Sequence, residues 1–372
     1  MSNNTLSGSV MIFPTQPEEI NEEWLSSSLS IGYPGTRVAK ISLDHSLGGT
    51  ANKWFINVTY SANPLDLPSR FVLKVGLDDE PHRAEIRFIY CMEAKFYSSV
   101  GPRLPIQIPK TYYAADNGES GVLIMEDIIS NGGQICSIPR PLTFEETAAF
   151  LDGFAAMHAA FWNSPELNDD GELGWVWRQD PLPPTRADGL WGNRQFEVEY
   201  WDRHIKLPRA VAIPKVLHNR QMIRDAMDEL RRFDDGSTVC LIHGDAHLGN
   251  LYQDKNGKPG FLDWQLFRRG HWAHDISYFL CSALDPLDRR RWEKDLVRGY
   301  LDALGTHGVS NVPTEEAAWS AIKAHFIYGL FIWMMNTDHF QSEVVNTAAS
   351  ARFAWAMVDH GLLQWDGIKR SG

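Results

Sequence analysis

Apolar and polar positions alternate in the first third of the chain. Trp54, Ile56, Val58 and Tyr60 are interleaved with polar Asn57 and Thr59, the period of a half-buried strand. A candidate strand at 38–43 precedes it, and Ser46-Leu47-Gly48-Gly49-Thr50-Ala51-Asn52 links the two. A third strand is predicted over 70–76, with Phe71, Leu73 and Val75 on one face and Val72 and Lys74 on the other. The period then changes. Ile86, Ile89, Tyr90, Phe96 and Tyr97 recur at helical spacing across 83–99. Two short strands follow at 111–115 and 121–125, joined by Asp116-Asn117-Gly118.

The remainder reads as mostly helical. Thr143-Phe144-Glu145-Glu146 is a capping box that opens a helix to about Trp162. Residues 164–210 are rich in Pro, Gly and Trp and predict irregular structure. A helix over 215–233 and a strand-like Val239-Cys240-Leu241-Ile242 come next. Leu251-Tyr252 and Gly260-Phe261-Leu262 flank Asp254-Lys255-Asn256-Gly257, a hairpin signal. Three more helices are expected at 288–304, 314–335 and 343–363. The pattern is therefore α+β. A β-rich N-lobe over 1–127 carries one helix, and a larger, mainly helical C-lobe spans 128–372. Their join near Glu126-Asp127 is the expected neighbourhood of a ligand.

Composition narrows the classes. A chain of 372 residues with 44% hydrophobic and 22% charged residues is ordinary for a globular protein. A net charge of −12 excludes a nucleic-acid binder, which needs clustered Lys and Arg. The apolar run 324–335 contains His325 and falls short of a bilayer span, so no membrane role is expected. Cys91, Cys136, Cys240 and Cys281 form no CxxC pair, and free thiols suit a reducing compartment. The opening MSNNTLSGSV has no secretory pattern, so a cytoplasmic location is expected. The 14 tryptophans are unusual, because Trp serves both as core filler and as a flat wall for a ligand.

The densest polar cluster is His243-Gly244-Asp245-Ala246-His247-Leu248-Gly249-Asn250, followed by Asp263 just after the predicted hairpin. Phosphoryl transfer needs this layout. One Asp accepts the proton of an attacking hydroxyl, while an Asn of the same loop and a second Asp hold Mg2+ on nucleotide phosphates. The same residues also fit a polar turn with satisfied histidines. Lys74 weighs for the first reading. It sits in the apolar strand Phe71-Val72-Leu73-Lys74-Val75, where a lone ammonium is costly unless it meets an anion. Glu93 is that anion in prospect, since its helical neighbours Ile89 and Tyr97 are apolar. A structural salt bridge predicts the same pairing.

With Phe261-Leu262-Asp263-Trp264-Gln265 and Asp275-Ile276-Ser277 added, the cluster resembles the aminoglycoside phosphotransferase and choline kinase superfamily, small-molecule kinases with a protein-kinase-like fold. The Asp-Trp-Gln form and the RRGHWAHD stretch are most similar to its ecdysteroid-kinase-like branch. GGTANKWF, FVLKVG, MEAKFY, VLIMEDI and LDGFAAMHAAF fall in the expected order, so the resemblance covers roughly 35–305. It implies ATP and Mg2+ as cofactors. It makes Asp245 the catalytic base and Asn250 and Asp263 the metal ligands. Lys74, oriented by Glu93, would bind phosphate under the loop carrying Gly48, Gly49 and Thr50. Backbone groups of Glu126 and Ile128 would meet adenine, and His243 and Asp275 would brace the catalytic loop.

Only about 12 residues separate Asp263 from Asp275, too few for a peptide-docking activation loop, so no protein substrate is expected. The acceptor is expected to be a small hydroxylated molecule. Trp175, Trp177, Trp191 and Trp201 fall in the 164–210 insert and are candidates for its wall, with His247 and Arg268 as further candidates. Aromatic density points to an apolar, steroid-like or amphipathic alcohol. Acid plus aromatic suits an aminoglycoside or choline-type cation instead. A metal-dependent hydrolase built on the His/Asp cluster and a nucleotide-binding pseudokinase are the other readings.

Overall fold

The computed structural model describes residues 13–48, 52–77, 83–178, 194–234 and 237–363, with backbone only at 83–88. It divides into two compact units. One comprises residues up to Val100 together with Lys110–Asp127. The other comprises Gly101–Pro109 and everything from Ile128 onward.

The first unit is a five-stranded antiparallel sheet. Its strands are β1 (Arg37–Leu47), β2 (Lys53–Ala62), β3 (Arg70–Val75), β4 (Thr111–Asp116) and β5 (Gly121–Met125), in the order β1-β2-β3-β5-β4. All five coincide with the predicted strands to within a few residues. The helix α1 (Glu22–Gly32) is not legible in the apolar pattern. Asn21 caps it by accepting the Trp24 N–H at 3.0 Å. Its Leu25 and Leu29 pack with Phe71, Leu73, Val75 and Ile124 in the core of this unit. The single helix predicted here, over 83–99, divides into α2 (Arg83–Lys95) and a π-turn at Phe96–Val100.

The helix α2 lies directly on β5. A Cβ at Gly121 would stand 2.0 Å from the Tyr90 carbonyl oxygen. Only glycine allows backbone to approach backbone so closely.

The second unit is mainly helical. Its long helices are α3 (Phe144–Ala160), α6 (Arg220–Asp234), α7 (Ala273–Ala283), α8 (Pro286–Thr306), α9 (Glu315–Met335) and α10 (Glu343–Asp359), with short α4 (Val198–His204) and α5 (Pro208–Val211) between α3 and α6. The Thr143 capping box forms as predicted, with the Glu146 N–H donating to Thr143 Oγ1 and the Thr143 N–H donating to Glu146 Oε2. The α7 helix, absent from the sequence reading, is buried at every residue. The α9 helix is buried almost all round from Ala324 to Met335, which accounts for the long apolar run there. Among the described residues, no helix is long and apolar enough to cross a membrane. All four cysteines are buried, and none is paired in a disulfide.

Small sheets complete this unit. β7 (Cys240–Ile242) pairs with β10 (Arg268–Gly270), while β6 (Gln134–Ile135), β8 (Leu251–Gln253) and β9 (Pro259–Phe261) form a second sheet. The predicted hairpin is the β8–β9 connection. Asp254 Oδ1 accepts the N–H groups of Asn256 and Lys258 at 2.8 and 2.9 Å, and Gly257 takes φ +79°.

Gly121→Ala tests the contact between α2 and β5. It is expected to cost about 3 kcal/mol in urea unfolding, because backbone must move to admit the methyl group.

Candidate active site

The strand β7 delivers the chain to His243, and α7 holds it there. Asp275 is fully buried on α7, and its two oxygens accept the backbone N–H groups of His243 at 2.6 Å and Gly244 at 2.9 Å. His158 of α3 donates from Nε2 to the same carboxylate at 3.3 Å, and its Nδ1 lies 2.9 Å from the Tyr300 hydroxyl. Burial pushes the Asp275 carboxyl up. The hydrogen bond from His158 leads the interactions that outweigh it and hold the group well below the usual carboxylate range.

Gly244 turns the chain with φ +81°. A Cβ there would stand 2.1 Å from the Leu266 carbonyl oxygen. The following loop is tied internally. Asp245 N–H donates to His243 Nδ1 at 3.3 Å, and His243 Nε2 lies 3.0 Å from the Leu262 carbonyl oxygen. Asn250 Nδ2 donates to both the main-chain oxygen and the Oδ2 of Asp245, each at 2.9 Å. His247 Nδ1 accepts the Gly249 N–H at 3.0 Å, and its Nε2 stands 3.7 Å from Asp245 Oδ2. The Asp245 carboxylate keeps about 30% of its surface exposed, enough to meet a reactant.

Asp263 is brought to this loop by its neighbour. The Leu262 N–H donates to the Asn250 carbonyl oxygen at 3.0 Å, while the Leu262 carbonyl faces His243. Asp263 itself has φ +64°, a left-handed conformation that disfavours any residue with a Cβ. Backbone strain of this kind persists where the surroundings enforce it, and it gathers at functional sites. Asn250 has spent both amide hydrogens on Asp245, which leaves its Oδ1 as a hard oxygen. That oxygen and the Asp263 carboxylate suit Mg2+, which takes one or two protein ligands plus waters and phosphates. Among the described residues, no group of three or more His, Cys, Asp and Glu could form an all-protein metal cage.

In the first unit, Lys74 Nζ lies 2.5 Å from Glu93 Oε1, and the two side chains are only 3% and 1% exposed. At Gly48 a Cβ would meet nothing within 4 Å, so packing does not demand glycine there. Gly49 and Thr50 lie outside the described residues. The Glu126 N–H donates to the Lys110 carbonyl at 2.9 Å, so it does not serve as a purine donor in this structure. In the second unit, the Ile128 carbonyl accepts the Gly133 N–H at 2.9 Å.

Two expected wall residues are corrected. Trp201 is core, because it is buried, stacks on Phe196 and donates from Nε1 to the His218 carbonyl at 2.9 Å. Arg268 is neither a substrate contact nor a surface residue. It is buried, with Nη1 donating to the carbonyl oxygens of Gly244 at 3.1 Å and Leu266 at 3.2 Å, and Nη2 lying 2.9 Å from His274 Nε2. Burial, with the Arg268 charge beside it, keeps His274 neutral, its pKa well below the usual value. Trp191 lies outside the described residues. Trp175 is 37% exposed with its ring against Phe267, and the Trp177 carbonyl accepts the Arg269 N–H at 2.7 Å.

The sequence reading missed His158. Its only signal was a lone imidazole in the apolar stretch LDGFAAMHAAF.

With this geometry in hand, the relatives can be placed. The model of the phosphotransferase enzyme family (APH) matches residues 51–312. The chain belongs to that family. It is a phosphotransferase with a mixed α+β fold. No curated protein matches it by sequence. Among solved structures, its fold is similar to an ethanolamine kinase of Plasmodium vivax, at 12% identity and TM-score 0.50, covering 87% of this chain and 83% of that one. A choline kinase of Cryptosporidium parvum Iowa II gives 13% identity and TM-score 0.49, covering 92% and 97%. Family membership removes the hydrolase reading.

Asp275→Asn tests the clamp on the loop. The amide leaves a buried loop N–H facing another N–H, and the expected loss is about 3 kcal/mol at pH 7. Because the folded-state carboxyl is held low, its stabilisation is complete above about pH 4 and is lost as the pH falls further. The gap between wild type and variant in urea unfolding is therefore expected to narrow only in that acid range.

Proposed function

We propose that the enzyme transfers the γ-phosphate of ATP, with Mg2+, to the hydroxyl of a small apolar or amphipathic alcohol. The carrying observation is the loop in which Asn250 holds the Asp245 carboxylate while Leu262 ties Asp263 to the same turn. Asp245, fixed through one oxygen, takes the proton of the acceptor hydroxyl as the hydroxyl oxygen bonds to phosphorus and the bond to ADP breaks. Asn250 Oδ1 and the Asp263 carboxylate hold Mg2+, which when bound neutralises charge on the phosphates. Lys74, kept extended by Glu93, binds the α- and β-phosphates. The Glu126 carbonyl and the Ile128 N–H serve the purine. The fragment 1–127 thus acts as the nucleotide-binding part, and 128–372 carries the base, the metal ligands and the acceptor contacts.

The acceptor class rests on the half-exposed Trp175 and on Trp177, since flat aromatic surface favours an apolar ring over a polyhydroxylated cation. The Asp-Trp-Gln form and the RRGHWAHD stretch, which resemble the ecdysteroid-kinase-like branch, agree with it. Presence of Asp245, Asn250 and Asp263 together argues for catalysis over binding alone.

Coupled ADP release over hydroxysteroids, amino alcohols, aminoglycosides, macrolides and sugars is the deciding screen. Turnover is expected with the hydroxysteroids, and turnover confined to amino alcohols or aminoglycosides would shift the acceptor to the cationic class. Asp245→Ala is expected to lower transfer by about 10²–10⁴-fold while ATP with Mg2+ still raises the melting temperature. Full activity in that variant would end the mechanism.

A further inference from the structure

The RRGHWAHD stretch contains one arginine that the catalytic loop does not use. Arg269 lies on β10 opposite Leu241 of β7, two residues before His243. It is 6% exposed, so its charge needs partners. Among the described residues, its side-chain hydrogen-bond partners lie in the segment after α3. Nη1 donates to the Leu167 carbonyl at 2.6 Å and to Asp169 Oδ1 at 2.8 Å, and its main-chain N–H donates to the Trp177 carbonyl at 2.7 Å. Arg178 forms a parallel bridge with Arg269, so this segment adds itself to the edge of the β7–β10 pair.

This attachment is what places Trp175. Its ring meets Phe267, 6.1 Å between centroids and at 73°, two residues before Arg269 and four after Asp263. The side chain keeps 37% exposure although it rests on a buried phenylalanine. A large indole held half-open, in a turn anchored to the strand that pairs with β7 before the catalytic loop, has the form of a ligand wall.

We propose that Arg269 is a positioning residue for acceptor specificity: it fastens the segment 167–177 to β10 and thereby holds Trp175 as the flat wall that meets the apolar ring of the acceptor alcohol. The anchoring half stands on its own, and the acceptor half rests on the function proposed above.

The experiment separates them with 5-fluorotryptophan-labelled full-length enzyme and 19F NMR, the Trp175 resonance being assigned by its loss in Trp175→Phe. Arg269→Met is expected to move and broaden that resonance with no ligand present. Arg269→Lys, which keeps one charged donor for Leu167 or Asp169, is expected to recover most of the wild-type position. An unmoved Trp175 signal in folded Arg269→Met, or a shift that lysine does not recover, overturns the anchor. Dehydroepiandrosterone, choline and kanamycin are then titrated into the wild type with Mg2+ and a non-hydrolysable ATP analogue. The steroid alcohol is expected to shift the Trp175 resonance saturably and the two cations to leave it in place. A response to the cations, or none to any of the three, overturns the acceptor role. In steady-state assays with the steroid, Arg269→Met is expected to raise its KM at least tenfold with KM for ATP within twofold. Adding Arg269→Met to Trp175→Ala is expected to raise the steroid KM no further. Equal losses in both KM values, or additive effects, reduce Arg269 to a structural role. Loss of phosphoryl transfer in Asp245→Ala is read separately and judges the kinase mechanism alone.

Discussion

A single buried carboxylate organises the chemistry of this protein. Asp275 has no surface exposure, and it accepts the N–H groups of two consecutive loop residues, His243 and Gly244. Both bonds are charge-assisted, so they are roughly twice as strong as neutral ones. Everything downstream inherits its position from them. Asp245 follows Gly244, Asn250 reaches back to Asp245, and His243 passes the restraint on to Leu262 and so to Asp263. The proposed base and metal ligands are thus set by a residue that needs no contact with any reactant. Three elements distant in sequence, α3 through His158, α7 through Asp275 and β10 through Arg268, converge on one turn.

The same logic appears in the first unit with the signs reversed. Lys74 is a buried cation on a strand that is otherwise apolar, and Glu93 is a buried anion on α2. Neither is tolerable alone in a low-dielectric interior, and breaking such a pair typically costs about 3–5 kcal/mol. The pair therefore depends on α2 lying close to the sheet, and that closeness depends on Gly121 having no side chain. A glycine in β5 with no chemistry of its own sets where Glu93 stands.

Much of this was legible residue by residue, for identifiable reasons. The sheet was readable because its strands alternate with period two and carry β-branched and aromatic residues. The hairpin at 254–257 was readable because Asp and Gly dictate that turn. The loop at 243–250 stood out because its polar residues are contiguous, although their spacing alone also fitted a polar turn or a metal-dependent hydrolase. The α7 helix was not readable, since a helix buried on every side has no polar face to give it a period. Trp201 and Arg268 were misread for a related cause. Tryptophan and arginine each serve both in cores and at ligand sites, and sequence position does not separate the two uses.

Local pattern thus determined what depends on neighbours along the chain. It settled the succession of strands along the first unit, the capping box at Thr143 and the hairpin before Asp263, and it supplied the residues proposed to carry phosphoryl transfer. Tertiary structure decided what depends on contacts across the chain. It drew His158 to Asp275 across 117 residues and Arg269 to Leu167 across 102. It turned Trp201 inward while leaving Trp175 half-open, and it forced Asp263 into a left-handed backbone. Burial and long-range hydrogen bonding are properties of packed surfaces. They have no period in the sequence from which they could be read.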